Sequence, residues 1–164
     1  MTTPMRAEKA SVLLEIQRAS TTTTIPSNEQ FQLWAEAVLE GRRKEVALTI
    51  RIVDTEEGLR FNRDYRDKDY ASNVLSFSAE LPIGLPPELA ESQLGDLLIC
   101  APVLSREAKE QGKAEADHWA HLTVHGILHL LGYDHQHEAE ASQMEKLETR
   151  TLAKLGIPDP YGEF

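Results

Sequence analysis

The sequence predicts an α+β fold in a single domain, with a mixed sheet of about four strands and about five helices. Three observations lead there. Four short strand-like stretches fall before residue 101, whereas helical periodicity dominates from residue 102 onward, so strands come early and helices crowd the end. At 164 residues the chain is long enough for one hydrophobic core and too short to expect two. Its 41% hydrophobic and 27% charged residues are an ordinary globular balance, so a packed core is expected rather than disorder. The domain is taken as residues 1–164, with 1–10 as a flexible N-terminus.

Residues Val12 to Arg18 alternate apolar and polar side chains and read as a strand, followed by a threonine-rich loop from Ala19 to Ile25. Ser27-Asn-Glu-Gln30 has the spacing of a capping box, in which the first and fourth residues exchange side-chain bonds with the backbone. It opens an amphipathic helix through Phe31, Trp34, Val38 and Leu39, closed by Gly41. Val46, Leu48, Ile50 and Ile52 form a second strand, giving a β-α-β start whose crossover is right-handed if the strands are parallel. Asp54 is placed to cap a short helix through Leu59 to Tyr65.

Val74 to Phe77 and Leu94 to Cys100 are the remaining strands, and the four prolines and glycines between them predict a loop over residues 79–92. Pro102 suits the first turn of a helix ending near Gln111 and Gly112. A further helix carries Trp119, Leu122 and Val124 up to Leu131, and the last runs from about Glu138 to Leu155, stopped by Gly156 and Pro158.

Composition excludes several classes. No run of eighteen or more apolar residues exists to span a membrane. The first ten residues are polar and lack the apolar segment of a secretory signal. The single cysteine, Cys100, cannot form an internal disulfide, and its place at the end of Leu97-Leu98-Ile99 suits a buried small hydrophobe; both fit a cytoplasmic protein. The net charge of −10 argues against a broad polyanion-binding face, and DNA is not expected as a partner. Eight of the seventeen basic residues fall within residues 41–70, but seven acids share that window, so only a local phosphate contact is open.

The chemistry concentrates in His125-Gly-Ile-Leu-His129-Leu-Leu-Gly132-Tyr-Asp-His135. Histidines four apart on a helix leave the same face, about 6 Å apart along the axis, and form a two-tooth chelate. Gly132 can take positive φ and end the helix, so that His135 arrives as a third ligand. Three neutral imidazoles around one Zn2+ leave a fourth position for water, the arrangement of a catalytic site. His121 and His129 are about 12 Å apart along a helix and cannot share an ion, so His121 is assigned a supporting or packing role. His118 and His137 are read as surface or flanking residues. The same histidine spacing occurs in metzincin proteases, which need a glutamate after the first histidine as general base. Here that residue is Gly126, so the peptidase mechanism lacks its base.

A second motif completes the pair. Residues 61–78 contain Asn62, Tyr65-Arg66, Asp69 and Asn73-Val-Leu-Ser-Phe77, followed by Leu94-Gly-Asp96 before a strand. With the histidine run, these resemble the YbeY family of bacterial endoribonucleases in the order of elements over nearly the whole chain. The departures are Ala71-Ser72 where that family usually has Pro-Thr, Ser78 in place of Pro, and Phe61 in place of Leu. The resemblance implies a zinc-dependent, single-strand-directed endoribonuclease that takes part in ribosomal RNA maturation and ribosome quality control in the cytoplasm, with RNA and the ribosome or ribosomal proteins as partners. It also implies that Arg66 belongs to the active site, where a guanidinium fork would match two phosphoryl oxygens. Spacing alone instead favours a salt bridge from Arg66 to Asp67 or Asp69. Asp134, beside His135, could orient a ligand. The alternatives are a ribosome-associated binding factor whose zinc is mainly structural, or a metal-dependent hydrolase of another substrate.

Overall fold

Alternating side chains become a four-stranded sheet. In the structure, a computed structural model that describes residues 10–68, 70–79, 84–86, 92–133 and 138–161, the strands are β1 (Ser11–Ala19), β2 (Glu45–Val53), β3 (Val74–Ser78) and β4 (Gln93–Cys100). Their order is β1-β2-β4-β3. β1 pairs parallel to β2 and β2 parallel to β4, whereas β3 runs antiparallel to β4, which makes the sheet mixed as predicted. Among the described residues five helices accompany it in one domain: α1 (Asn28–Leu39), α2 (Thr55–Arg66), α3 (Ala101–Glu110), α4 (Glu115–Leu130) and α5 (Glu138–Lys154). The segment expected to be flexible, residues 1–10, lies outside the described residues except for Ala10, and so does most of the loop expected over 79–92.

Local chemistry explains the helix starts. The Ser27 hydroxyl accepts from the Gln30 backbone N–H, and the Gln30 side chain accepts from the Ser27 N–H, so the capping box forms at α1. At α2 the outcome differs from expectation. Asp54 occupies the N-cap position, but its side chain makes no cap bond. Its carboxylate instead accepts from the Ser20 hydroxyl and from the Thr21 N–H and hydroxyl, which ties the end of β1 to the end of β2. The Ser20 bond is the main reason that its pKa is lowered. Three donors from the neighbouring loop outcompete a single helix N–H for this carboxylate.

The sheet carries two apolar clusters. Leu48, Ile50, Ile52, Leu97 and Ile99 pack with Phe31, Trp34, Trp119 and Ile127 from α1 and α4. Phe31 meets both tryptophans edge to face, with ring centroids 5.4 and 5.8 Å apart. The smaller cluster joins Val53, Leu75, Leu98, Cys100 and Val103, flanked by Phe61 and Phe77. Cys100 is buried within it, and burial raises its thiol pKa, so it is an inert packing residue as read from the sequence. No helix among the described residues is long and apolar enough to cross a membrane.

One close contact sets the position of α4. A Cβ at Gly126 would lie 2.8 Å from Leu97 Cδ2 and 3.3 Å from Val74 Cγ2, so glycine lets the helix backbone settle this near β3 and β4 without displacing Leu97. The Ser76 hydroxyl then donates to the Gly126 carbonyl at 3.1 Å, fastening β3 to the middle of the helix. Gly95 serves the neighbouring strand pair, where φ is +138° and a Cβ would meet the Phe77 carbonyl oxygen at 2.3 Å.

Gly126→Ala gains about 1 kcal/mol of helix propensity, yet it should still lower urea-unfolding stability by up to about 2 kcal/mol, because the buried Leu97 side chain must shift. Gly126→Val should cost more than about 3 kcal/mol. Equal midpoints for all three proteins would show that the helix does not depend on this contact.

Candidate active site

Helix α4 brings two of the three predicted ligands together. The Nε2 atoms of His125 and His129 lie 3.0 Å apart, their rings nearly perpendicular. Two nitrogens bound tetrahedrally to zinc at about 2.0–2.1 Å would be about 3.3–3.4 Å apart, so a few tenths of an ångström separate the pair from a chelating geometry. Gly132 has φ of +101° and the Tyr133 N–H returns to the Leu128 carbonyl, which ends the helix where the sequence placed the turn. His135, Asp134 and His137 lie outside the described residues.

Both histidines line a cleft of about 800 Å³. Tyr65 and Arg66 from the end of α2, and Asn73, Ser76 and Phe77 from β3 and its approach, form its other walls. The two sequence motifs therefore meet across one concavity. Arg66 is the last residue of α2, and among the described residues no carboxylate lies within ion-pair distance of it. The expected pairing with Asp67 is absent, because Asp67 takes the left-handed conformation, φ +54°, that turns the chain out of the helix. Asp69 lies outside the described residues. Buried Asn62 donates from its amide to the Tyr70 carbonyl and so holds the segment that follows Arg66.

Behind the histidine pair lies a carboxylate that sequence reasoning missed. Glu148 of α5 is fully buried, and Oε1 accepts from His125 Nδ1 while Oε2 accepts from the Tyr161 hydroxyl. Holding the proton on Nδ1 leaves the Nε2 lone pair of His125 for the cleft. Burial pushes the Glu148 pKa up, but bonds from His121, His125 and Tyr161 outweigh it and hold the group at about 2, so it is a carboxylate. Tyr161 responds oppositely, raised by burial and by the adjacent charge.

Among the described residues, His121, His125 and Glu148 also form a group that could hold a metal, with ligand atoms within 4.8 Å of one another. An ion placed there would displace the Glu148 bonds to His125 and Tyr161, whereas the Nε2 pair belongs to residues that open on the cleft. His121 Nε2 sits 3.3 Å from the Tyr161 hydroxyl and 3.7 Å from Glu148. Burial lowers the His121 pKa, against the opposing pull of Glu148, so the ring is neutral.

His118 corrects the sequence reading. It is 3% exposed rather than a surface residue, and its Nε2 donates to Glu107 at 3.2 Å. Asn73 donates to the same carboxylate at 3.0 Å, and its own carbonyl accepts from Cys100, so the network anchors the start of β3. Burial works against the Glu107 charge, and the His118 and Asn73 bonds win, leaving its pKa lowered.

A signal for Glu148 was present. It lies four residues after Met144 and four before Leu152, both buried, so it is an acid in the apolar stripe of an amphipathic helix. A charge in that stripe needs partners, and the only histidines predicted to be helical stand on α4. Tyr161 had no comparable signal, since it reaches Glu148 from beyond the end of α5.

Comparison with known proteins gives a consistent answer. The family model described as "Endoribonuclease YbeY" matches residues 15–156. A Halorhodospira halophila protein named Endoribonuclease YbeY is 59% identical over 138 residues, covering 84% of this chain and 89% of the relative. Proteins of that name from Xanthomonas campestris and Stenotrophomonas maltophilia are 57% and 58% identical, covering 85% and 84% of this chain and 86% and 85% of theirs. The solution structure of a Thermotoga maritima protein matches with a TM-score of 0.55 at 18% identity, covering 90% of this chain and 99% of that one, a likeness of fold.

Removing the buried carboxylate should be costly. Glu148→Ala leaves His125 and Tyr161 without their acceptor, and chemical unfolding at neutral pH should show a loss of about 2–3 kcal/mol. Because its folded pKa is depressed, the stabilisation from Glu148 is fully present above its ordinary value of 4.5 and is lost as pH falls toward about 2. The gap between wild type and Glu148→Gln should therefore narrow across that window. A gap independent of pH would mean that the charge contributes nothing.

Proposed function

Because the chain belongs to the endoribonuclease YbeY family, we propose that it is a zinc-dependent, single-strand-directed endoribonuclease acting in ribosomal RNA maturation and ribosome quality control in the cytoplasm. The observation that carries this reading is the convergence of His125 and His129 Nε2 at a cleft that Arg66 also lines. Under this reading His125, His129 and His135 hold one zinc ion, which leaves one position for water. Zinc, when bound, supplies a positive charge able to activate water or polarise a phosphoryl oxygen. The neutral donor set suits that ion, and Glu148 fixes the first imidazole in the tautomer that presents its lone pair.

The chain's own residues would bring the phosphodiester to that point. Arg66, with no ion-pair partner among the described residues, is available to receive two phosphoryl oxygens and to offset charge as it develops there. Asn73 and Ser76 line the cleft with the histidines, and both are already held, by Glu107 and by the Gly126 carbonyl. A preformed wall limits the reorganisation needed when substrate binds. With a chain charge of −10, such local contacts rather than a broad basic face must hold RNA, which suits unpaired segments of a ribosomal RNA or of the ribosome better than a long duplex.

His129→Ala should abolish bound zinc in elemental analysis and cleavage of single-stranded RNA together. Cleavage retained by a metal-free variant would overturn the metalloenzyme reading.

Arg66→Glu should keep the zinc content while lowering cleavage by about 10²- to 10³-fold, the scale for losing one preorganised charge-stabilising group. Loss of the fold in this variant would assign Arg66 a structural role instead. End-group analysis of RNA incubated with the protein, with and without chelator, completes the test, since an absence of new ends would favour a ribosome-binding factor.

A further inference from the structure

Two residues that line the cleft, Tyr65 and Phe77, belong with Phe61 to an aromatic cluster with no assigned role. Phe61 and Tyr65 are four residues apart on α2, and their rings stack with centroids 5.6 Å apart and planes 18° from parallel. Phe77 of β3 braces both, 5.5 Å from Tyr65 edge-on and 6.1 Å from Phe61. Tyr65 is nonetheless 67% exposed. One face of its ring is backed by Phe61, and the exposure belongs to the remainder.

A single exposed tyrosine on a helix is ordinary. Three features separate this one. The ring is held by two others, so little side-chain freedom is lost when a ligand covers it. It lines the same cleft as Arg66 and the two histidines. Its brace, Phe77, adjoins Ser76, whose bond to the Gly126 carbonyl fixes the distance from this platform to α4.

We propose that Tyr65, backed by Phe61 and braced by Phe77, is a stacking platform for one unpaired nucleobase of the RNA next to the phosphodiester received by Arg66. An incoming base would continue the stack that Phe61 and Tyr65 begin. The inference rests on the endoribonuclease reading and gives it a means of selecting single strands, because a paired base offers no free face. It also supplies affinity that an acidic chain does not obtain from phosphate contacts. Stacking tolerates any base, so the platform selects unpaired structure more than sequence.

The test uses the zinc-loaded full chain and a single-stranded oligoribonucleotide containing 2-aminopurine. For the wild type, mixing should quench the fluorescent base before cleavage develops. Tyr65→Phe should retain the quenching and the KM. Tyr65→Leu, which keeps an apolar side chain over Phe61 but cannot stack, should abolish the quenching and raise KM about 5- to 100-fold, with kcat changed far less. The loss should be equal at low and high salt, whereas loss of a phosphate contact would fade as salt rises. Tyr65→Ser serves as a second non-stacking variant, and unfolding curves confirm that both fold. Wild-type KM and quenching in folded Tyr65→Leu and Tyr65→Ser would overturn the platform while leaving the endoribonuclease intact. A wild type that neither quenches nor cleaves RNA would instead remove the underlying reading, and the platform with it.

Discussion

The missing side chain at Gly126 governs the geometry of the site. Helix α4 must carry two imidazoles on one face and pack on the sheet with another, and the cleft closes only if the helix comes close to β3. With no Cβ, the backbone at Gly126 comes close enough that an added Cβ would stand 2.8 Å from Leu97 Cδ2 and 3.3 Å from Val74 Cγ2. Ser76 then reaches the Gly126 carbonyl, so the strand that supplies Phe77, with Asn73 just before it, is referenced to the helix that supplies His125 and His129. The interaction is short-range packing reinforced by one hydrogen bond, and it brings two distant motifs to one concavity.

Behind that contact the helix faces a different problem. Its histidines are too polar to be buried without partners, and those partners come from the other helices and the chain end. Glu148, fully buried, costs several kcal/mol of desolvation taken alone. His125 and Tyr161 return that cost as hydrogen bonds, with His121 3.7 Å away, and the carboxylate in turn sets the His125 tautomer. Glu107 does the same for His118 and Asn73. The site is therefore bounded by apolar contact on the sheet side and by satisfied charge on the other, a combination that leaves His125 few alternative orientations.

Much of this was legible in the sequence, and the reason lies in range. The capping box at Ser27, the alternation of β2 and the positive-φ stop at Gly132 are decided within a few residues, so the chain displays them directly. The histidine pair was legible for the same reason, since four residues of helix bring the rings together. Asp54 shows the limit: its local role as a cap was overridden by Ser20 and Thr21, more than thirty residues away in the chain. His118 was misjudged because burial depends on a partner, Glu107, that lies on another helix. Tyr161 was invisible for the same cause, whereas Glu148 left a trace as an acid inside a buried stripe.

The comparison with metzincin spacing can now be given a structural basis. A glutamate at residue 126 would supply that mechanism's base only if its side chain could reach the metal-facing side of the helix. Here the Cα–Cβ direction of residue 126 points at Leu97 and Val74, into the sheet, about 100° around the helix from the preceding histidine. A carboxylate placed there would be buried among apolar side chains with no partner, a cost of several kcal/mol, and would lift the helix from β3. Two proteins can thus share a histidine spacing and differ in chemistry because the residue after the first histidine answers to packing in one and to catalysis in the other. The spacing specifies which atoms can meet an ion; the face of the helix that the sheet occupies decides which further groups can join them.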